Sequence, residues 1–104
     1  MASYLARAVA IHQFVSTLRR TLEQHVGASA TDQAELISLA VESTNKLLYC
    51  FLISQEMFDK IDALLNDHLD VQAEPHAISI LYLRTLAVVR QLEKHAAVWV
   101  MKYN

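Results

Sequence analysis

The chain has 104 residues and a mass of 11.8 kDa, which is the size of one small domain, and we expect a single domain over residues 1–104. Hydrophobic residues make up 54% of it, which is enough for a core and excludes a disordered chain. The net charge of −2 and the pI near 6.2 argue against a general nucleic-acid-binding protein, which presents a basic face. The single cysteine excludes a disulfide framework and fits a reducing compartment, so we expect a cytoplasmic protein.

The scarcity of glycine and proline predicts the fold class. A β-sheet needs a turn every ~8–12 residues, and tight turns use Gly, Pro, Asn and Asp. This chain has one glycine and one proline, so we expect it to fold back only about twice. The prediction is an all-α protein, a small up-down bundle of three main helices over about residues 3–26, 32–70 and 75–102. No apolar run approaches the ~20 residues of a membrane span, so we expect no membrane partner.

The first predicted helix, over residues 3–26, has one apolar stripe. Its apolar residues recur in steps of three and four, as expected for a helix with one buried face: Tyr4, Ala8, Ile11, Val15, Leu18 and Leu22. Gly27 follows this stripe, and glycine adopts without steric cost the left-handed conformation that ends many helices. We therefore expect Gly27 to end the helix.

The second predicted helix begins at Asp32, which forms a capping-box pattern with Glu35. The polar positions after Glu35 stay on one stripe at 100° per residue, and their phase does not slip at Ser54. This pattern favours one long helix. The alternative is a break near Ser54 that folds the helix back into a compact four-helix monomer. Cys50 lies on the apolar side, where we expect it to be buried and unreactive.

The third predicted helix begins at Pro75, a residue favoured in the first turn, and extends to Lys102. Its predicted polar stripe consists of Arg84, Gln91, His95 and Lys102. The residues predicted to face the core are Ile78, Leu81, Val88, Leu92, Ala96 and Trp99. A further apolar flank consists of Leu83, Leu86, Ala97 and Met101.

Charge is sorted along the chain. Residues 1–26 carry +2, residues 27–55 carry −2, residues 56–74 carry −5 and residues 75–104 carry +3. This order suits helices packed side by side, each next to a neighbour of opposite charge. The alternative is that the acidic run is simply a solvated face, and exposed ion pairs contribute little stability in either case.

The helix lengths and their faces predict a homodimer. At ~1.5 Å per residue the second helix would be about 58 Å long and would extend beyond its neighbours with apolar residues still on it. Exposing such a patch costs ~25 cal/mol per Å², and a second copy across a two-fold axis would bury it. The predicted interface residues are Leu83, Leu86, Ala97, Met101, Phe58 and Ile61.

The residues that commonly carry chemistry do not form a recognisable site. The five histidines lack the Glu-x-x-His or His-Glu-x-x-His spacing of metal sites, and no second cysteine accompanies Cys50. No glycine-rich loop can hold a phosphate. We therefore expect no cofactor and no metal. The leading hypothesis is a non-enzymatic protein–protein interaction or regulatory module that pairs with itself and with a further, unidentified protein; a bundle that binds a small ligand is another possibility.

One short motif supports an alternative. Arg90-Gln-Leu-Glu-Lys-His95 and Arg20-Thr-Leu-Glu-Gln-His25 both read Arg-x4-His. This resembles the Arg-x4–6-His motif of HEPN ribonucleases, which are all-α proteins that often dimerise to pair their active sites. The resemblance covers six residues of the chain. It implies a metal-independent ribonuclease in which Arg90 would bind the scissile phosphate and His95 would assist proton transfer.

Overall fold

The computed structural model of the chain describes residues 3–47, 55–56, 59–60, 62–63 and 75–104. Of these residues, 91% are helical and none belongs to a strand. Three helices account for most of them: α1 (Tyr4–Gln24), α2 (Ala30–Leu47) and α3 (Pro75–Tyr103). The predicted all-α helical bundle is therefore confirmed. Within the described residues, no helix combines the length and the apolar character that crossing a membrane requires.

The start of α1 is capped by Ser3. Its Oγ atom accepts a hydrogen bond from the amide of Ala6 at 3.1 Å, which satisfies one of the free amides of the first turn. The buried residues of α1 are Ala8, Val15, Leu18 and Leu22. All four belong to the predicted apolar stripe, because a regular helix brings residues three and four apart to the same face.

The end of α1 differs from the prediction. The helix ends at Gln24, and the amide of the next residue, His25, donates to the carbonyl of Leu22 at 3.3 Å. Gly27 does not adopt the left-handed conformation, so the prediction for this glycine is wrong. Gly27 lies instead inside a turn over residues 25–28, which is closed by the amide of Ala28 donating to the carbonyl of His25 at 3.0 Å.

The start of α2 also differs by two residues. The cap is Ser29 and not Asp32: the Ser29 Oγ atom accepts from the Asp32 amide at 3.2 Å, and the Ser29 carbonyl accepts from the Gln33 amide at 2.9 Å. Asp32 lies instead within the first turn, where the helix dipole favours a carboxylate. The prediction of Asp32 as the cap is therefore wrong, since Ser29 supplies the same kind of oxygen one turn earlier.

Several sequence predictions lie outside the described residues. They concern the continuity of the second helix beyond Leu47, the alternative break near Ser54, the burial of Cys50, and the positions of Phe58 and Ile61. The described pairs at 55–56, 59–60 and 62–63 are helical.

α3 is the central helix of the described fold, and both α1 and α2 pack against it. Its predicted range of 75–102 agrees with the observed range to within one residue. α1 runs antiparallel to it: Tyr4 at the start of α1 stacks on Tyr103 at the end of α3, with ring centroids 5.4 Å apart, while Leu22 near the end of α1 contacts Tyr82.

The core lies between the three helices. Its members are Val15, Leu18, Leu22, Ile37, Ala40, Val41, Ile78, Leu81, Tyr82, Leu86, Val89 and Leu92. The buried hydroxyl groups in and beside this core are hydrogen-bonded. The hydroxyls of the buried Thr44 and Thr85 each donate to the carbonyl four residues earlier at 2.8 Å, and the Tyr82 hydroxyl donates to the carbonyl of Leu22.

Gln33 ties the α1–α2 connection to the core. Its side chain is only 5% exposed. Its Nε2 atom donates to the carbonyl of Val26 at 2.8 Å, and its Oε1 atom accepts from the hydroxyl of Ser79 at 3.4 Å. Sequence reasoning did not single out Gln33, because a glutamine in a first turn is ordinarily a surface residue.

Candidate interaction surface

Four charged side chains form a connected ion cluster between α1 and α3. Arg19 donates to both carboxylate oxygens of Glu93, each at 3.1 Å, and to Glu23 at 3.1 Å. Glu23 also accepts from Arg90 at 3.1 Å. The cluster contains two guanidinium groups and two carboxylates, so its formal charge is zero.

The ion cluster corrects the prediction drawn from the charge order. That prediction placed each basic helix next to an acidic one. α3 does pack against α2, whose segment carries −2, but the two basic segments, 1–26 and 75–104, also contribute the helices α1 and α3, which pack together. Each of these segments has a single acidic residue, Glu23 in one and Glu93 in the other. Both carboxylates lie in the contact, so individual positions matter here more than the net charge of a segment.

The cluster makes stability depend on pH. Hydrogen bonds from Arg19 hold the pKa of Glu93 below its usual value, and hydrogen bonds from Arg19 and then Arg90 do the same for the pKa of Glu23. Because the pKa of each carboxyl group is lower in the folded state than in the unfolded state, the folded protein binds fewer protons than the unfolded chain in mild acid. The resulting stabilisation is complete above about pH 4.5, near the unfolded value, and is lost as the pH falls through the folded pKa values.

We therefore expect Glu93→Gln to destabilise the protein at pH 7 and to destabilise it less at pH 3. Urea unfolding followed by circular dichroism at pH 7, 5, 4 and 3 measures both values. Glu42→Gln, at an exposed position on α2, is the matched control and should have little effect at any of these pH values. An equal loss from Glu93→Gln at pH 7 and pH 3 would contradict the prediction.

The residues of the ribonuclease-like motif have different neighbours. Arg90 contacts Glu23 on α1, whereas His95 lines a cavity and has its ring 6.4 Å from that of Trp99. This separation follows from the helix, in which residues five apart point about 140° away from each other. In the second copy of the motif, Nδ1 of His25 lies 2.8 Å from the carbonyl oxygen of Thr21, close to the end of α1.

The cavity beside His95 has a volume of about 290 Å³ and is open to solvent. Its lining residues are Glu56, Lys60, Gln91, Lys94, His95 and Val98. Lys60 has partners within this lining, since its Nζ atom lies 3.3 Å from Glu56 Oε1 and donates to Gln91 Oε1 at 2.5 Å. Among the described residues, no three His, Cys, Asp or Glu side chains are placed to hold a metal ion.

One exposed strip of α3 combines apolar ends with a polar middle. We call it the outer α3 face; it consists of Ile80, Leu83, Ala87, Arg90, Gln91, Lys94, Val98 and Met101. All eight side chains are exposed, and on a helix they lie within a sector of about 100°. Ile80, Leu83, Val98 and Met101 are 49%, 56%, 59% and 77% exposed. Such a row of large apolar side chains is a candidate for contact with another protein.

The predicted interface residues have different positions in the fold. Leu83 and Met101 belong to the outer α3 face, and Ala97 is half-buried at its border. Leu86 is only 3% exposed and belongs to the core, so its place on an exposed flank is corrected. Sequence reasoning missed Ile80 and Val98, although each lies three residues before a predicted member of the flank.

Comparison with known proteins identifies no relative: no protein-family model, no curated protein and no solved structure matches this chain.

Proposed function

We propose that this protein is a non-enzymatic interaction module that works as a homodimer and pairs through the outer α3 face. The observation that carries the proposal is the exposure of Ile80, Leu83, Val98 and Met101 on one side of the central helix. The two apolar ends of this face lie about 22 Å apart with a polar middle between them, and a second copy lying along α3 would cover both ends at once. The use of a single cysteine supports a reducing compartment, and we propose the cytoplasm.

The area of this face is compatible with a small but specific interface. The four large apolar side chains are each about half exposed or more, and together they offer roughly 500 Å² per chain, against the ~800 Å² per partner of a standard interface. The polar residues in the middle of the face supply further area. The ion cluster keeps Arg90 next to the carboxylate of Glu23, which reduces the repulsion between two copies.

Sedimentation equilibrium at micromolar concentration tests the proposal. The unsubstituted protein should have a mass near twice 11.8 kDa. Leu83→Glu and Met101→Glu should each raise the dissociation constant by about 100-fold, because a two-fold interface would lose two apolar contacts and gain two carboxylates. A mass near 11.8 kDa for the unsubstituted protein at every concentration would refute the homodimer.

The matched control is Leu39→Glu. Leu39 is 50% exposed, close to the exposure of Leu83, but it lies on α2 and outside the outer α3 face. It should leave the mass of the dimer unchanged. If Leu39→Glu dissociates the dimer and Leu83→Glu does not, the contact lies on another surface.

A further inference from the structure

The outer α3 face is symmetric about the point between Arg90 and Gln91. Large apolar residues come last in both directions from this point; before them come Arg90 and Ala87 on one side, and Gln91 and Lys94 on the other. The positions at equal distance from the midpoint are Arg90 and Gln91, Ala87 and Lys94, Leu83 and Val98, and Ile80 and Met101. A two-fold contact pairs residue i with residue j and residue j with residue i, so an antiparallel pair of α3 helices brings the apolar ends of the two copies together.

We propose that two copies pair through α3 in an antiparallel orientation, with the two-fold axis passing between Arg90 and Gln91. This inference rests on the proposed homodimer and adds its geometry. Leu83 then packs against the partner's Val98, and Ile80 packs against the partner's Met101. Both ends of the interface become apolar contacts, and the polar residues meet at its centre.

Charge decides between the two possible orientations. A parallel pair would place every residue opposite its own copy, so that Arg90 faces the partner's Arg90 and Lys94 faces the partner's Lys94. In the antiparallel pair, Lys94 faces the partner's Ala87, and the two Lys94 positions are about 10 Å apart along the axis, which exceeds the ~8 Å screening length at physiological salt. The antiparallel orientation therefore separates the two lysines. It also brings Lys94 to about 4.5 Å along the axis from the partner's Arg90, which Glu23 neutralises within its own chain.

The remaining like-charge contact, between the two copies of Arg90, is reduced by the fold itself. Each Arg90 is paired with Glu23 of its own chain at 3.1 Å, and the ion cluster to which both belong has no net charge. The cluster neutralises Arg90 at the centre of the interface, and Lys94 is the charged residue of the outer α3 face that lies outside the cluster. Gln91, beside the axis, accepts a hydrogen bond from Lys60 of its own chain, so Lys60 and its partner Glu56 border the interface.

Cysteine cross-linking tests the orientation. In a Cys50→Ser background, the double variant Leu83→Cys/Val98→Cys should form disulfide-linked dimers in a glutathione buffer, observed on a non-reducing gel. The two sites in one chain are about 22 Å apart along the helix, far beyond disulfide reach, so the bond must join two chains. We expect each single variant to cross-link at least tenfold less, because its copies are then also about 22 Å apart.

The outcomes separate this geometry from the homodimer itself. Cross-linking of each single variant at the level of the double variant would overturn the antiparallel orientation in favour of the parallel one. A dimer in sedimentation whose double variant does not cross-link would overturn the register and leave the homodimer standing. A monomer in sedimentation would overturn both.

A charge reversal at Ala87 gives an independent test. Ala87 is exposed, so Ala87→Glu should leave the fold intact. In the antiparallel pair the introduced carboxylate faces the partner's Lys94 at two symmetric places, and the dissociation constant should fall by roughly three- to tenfold at low salt. Ala87→Gln is the matched control without charge and should change it little. In a parallel pair two carboxylates would face each other, so a weaker dimer would overturn the proposal.

Discussion

Leu86→Glu is expected to unfold the protein, whereas Leu83→Glu, three residues earlier on the same helix, is expected to leave the single chain folded. Leu86 is 3% exposed and lies in the core with residues of α1 and α2. Removing a buried leucine costs about 2–5 kcal/mol, and an unpaired buried carboxylate adds several kcal/mol. Since a small domain is stable by only about 5–15 kcal/mol, little or no folded protein should remain.

Far-UV circular dichroism with thermal melting measures this difference. Leu86→Glu should show a large loss of helical signal at 25 °C or a much lower melting temperature, and Leu83→Glu should retain a cooperative transition because Leu83 is 56% exposed. Any loss of stability by Leu83→Glu should depend on protein concentration, as dissociation of a dimer does. A normal melting curve for Leu86→Glu would contradict the burial of Leu86 in the core.

Tyr82→Ala is expected to destabilise the protein by about 3–5 kcal/mol. Tyr82 is 0% exposed, and its hydroxyl donates to the carbonyl of Leu22, so it joins α3 to the last turn of α1 through both packing and a hydrogen bond. Burial raises the pKa of Tyr82 further above neutral pH, so the phenol is protonated and able to donate.

Tyr82→Phe separates the two contributions. This variant retains the ring and loses the hydroxyl, and it should cost about 1 kcal/mol, the usual net value of one hydrogen bond. The cost stays small because the Leu22 carbonyl also accepts from the amide of His25. Urea unfolding gives both values. A Tyr82→Phe variant as unstable as Tyr82→Ala would show that the hydroxyl contact carries most of the stability, contrary to the prediction.

Local features of the chain were predictable when they depended on nearby residues alone. Pro75 marked the start of α3 because its ring suits a first helical turn. The spacing of Val15, Leu18 and Leu22 identified the buried side of α1 because helical geometry is the same in every protein. The end caps were predicted less well. Ser29 and Asp32 can both accept from first-turn amides, and the sequence alone does not say which of them does.

The candidate site was predicted only in part. Leu83 and Met101 were placed correctly on an exposed flank of α3, but Leu86 was assigned to the same flank. Leu83 and Leu86 are only about 60° apart around the helix, so their spacing gives no sign that one is exposed and the other buried. The position of the neighbouring helices around α3 determines where the core ends.

By itself, the sequence determined that this protein is all-α, where its third helix lies and which residues form the buried stripe of α1. These properties follow from local backbone chemistry and from the 3.6-residue period of the helix. Only the tertiary structure decided that α1 and α3 pack together through Arg19, Glu23 and Glu93, and which sector of α3 faces solvent. The reason is physical: burial and ion pairing depend on contacts between residues as far apart in the chain as Arg19 and Glu93, and neither composition nor periodicity specifies how helices are arranged around one another.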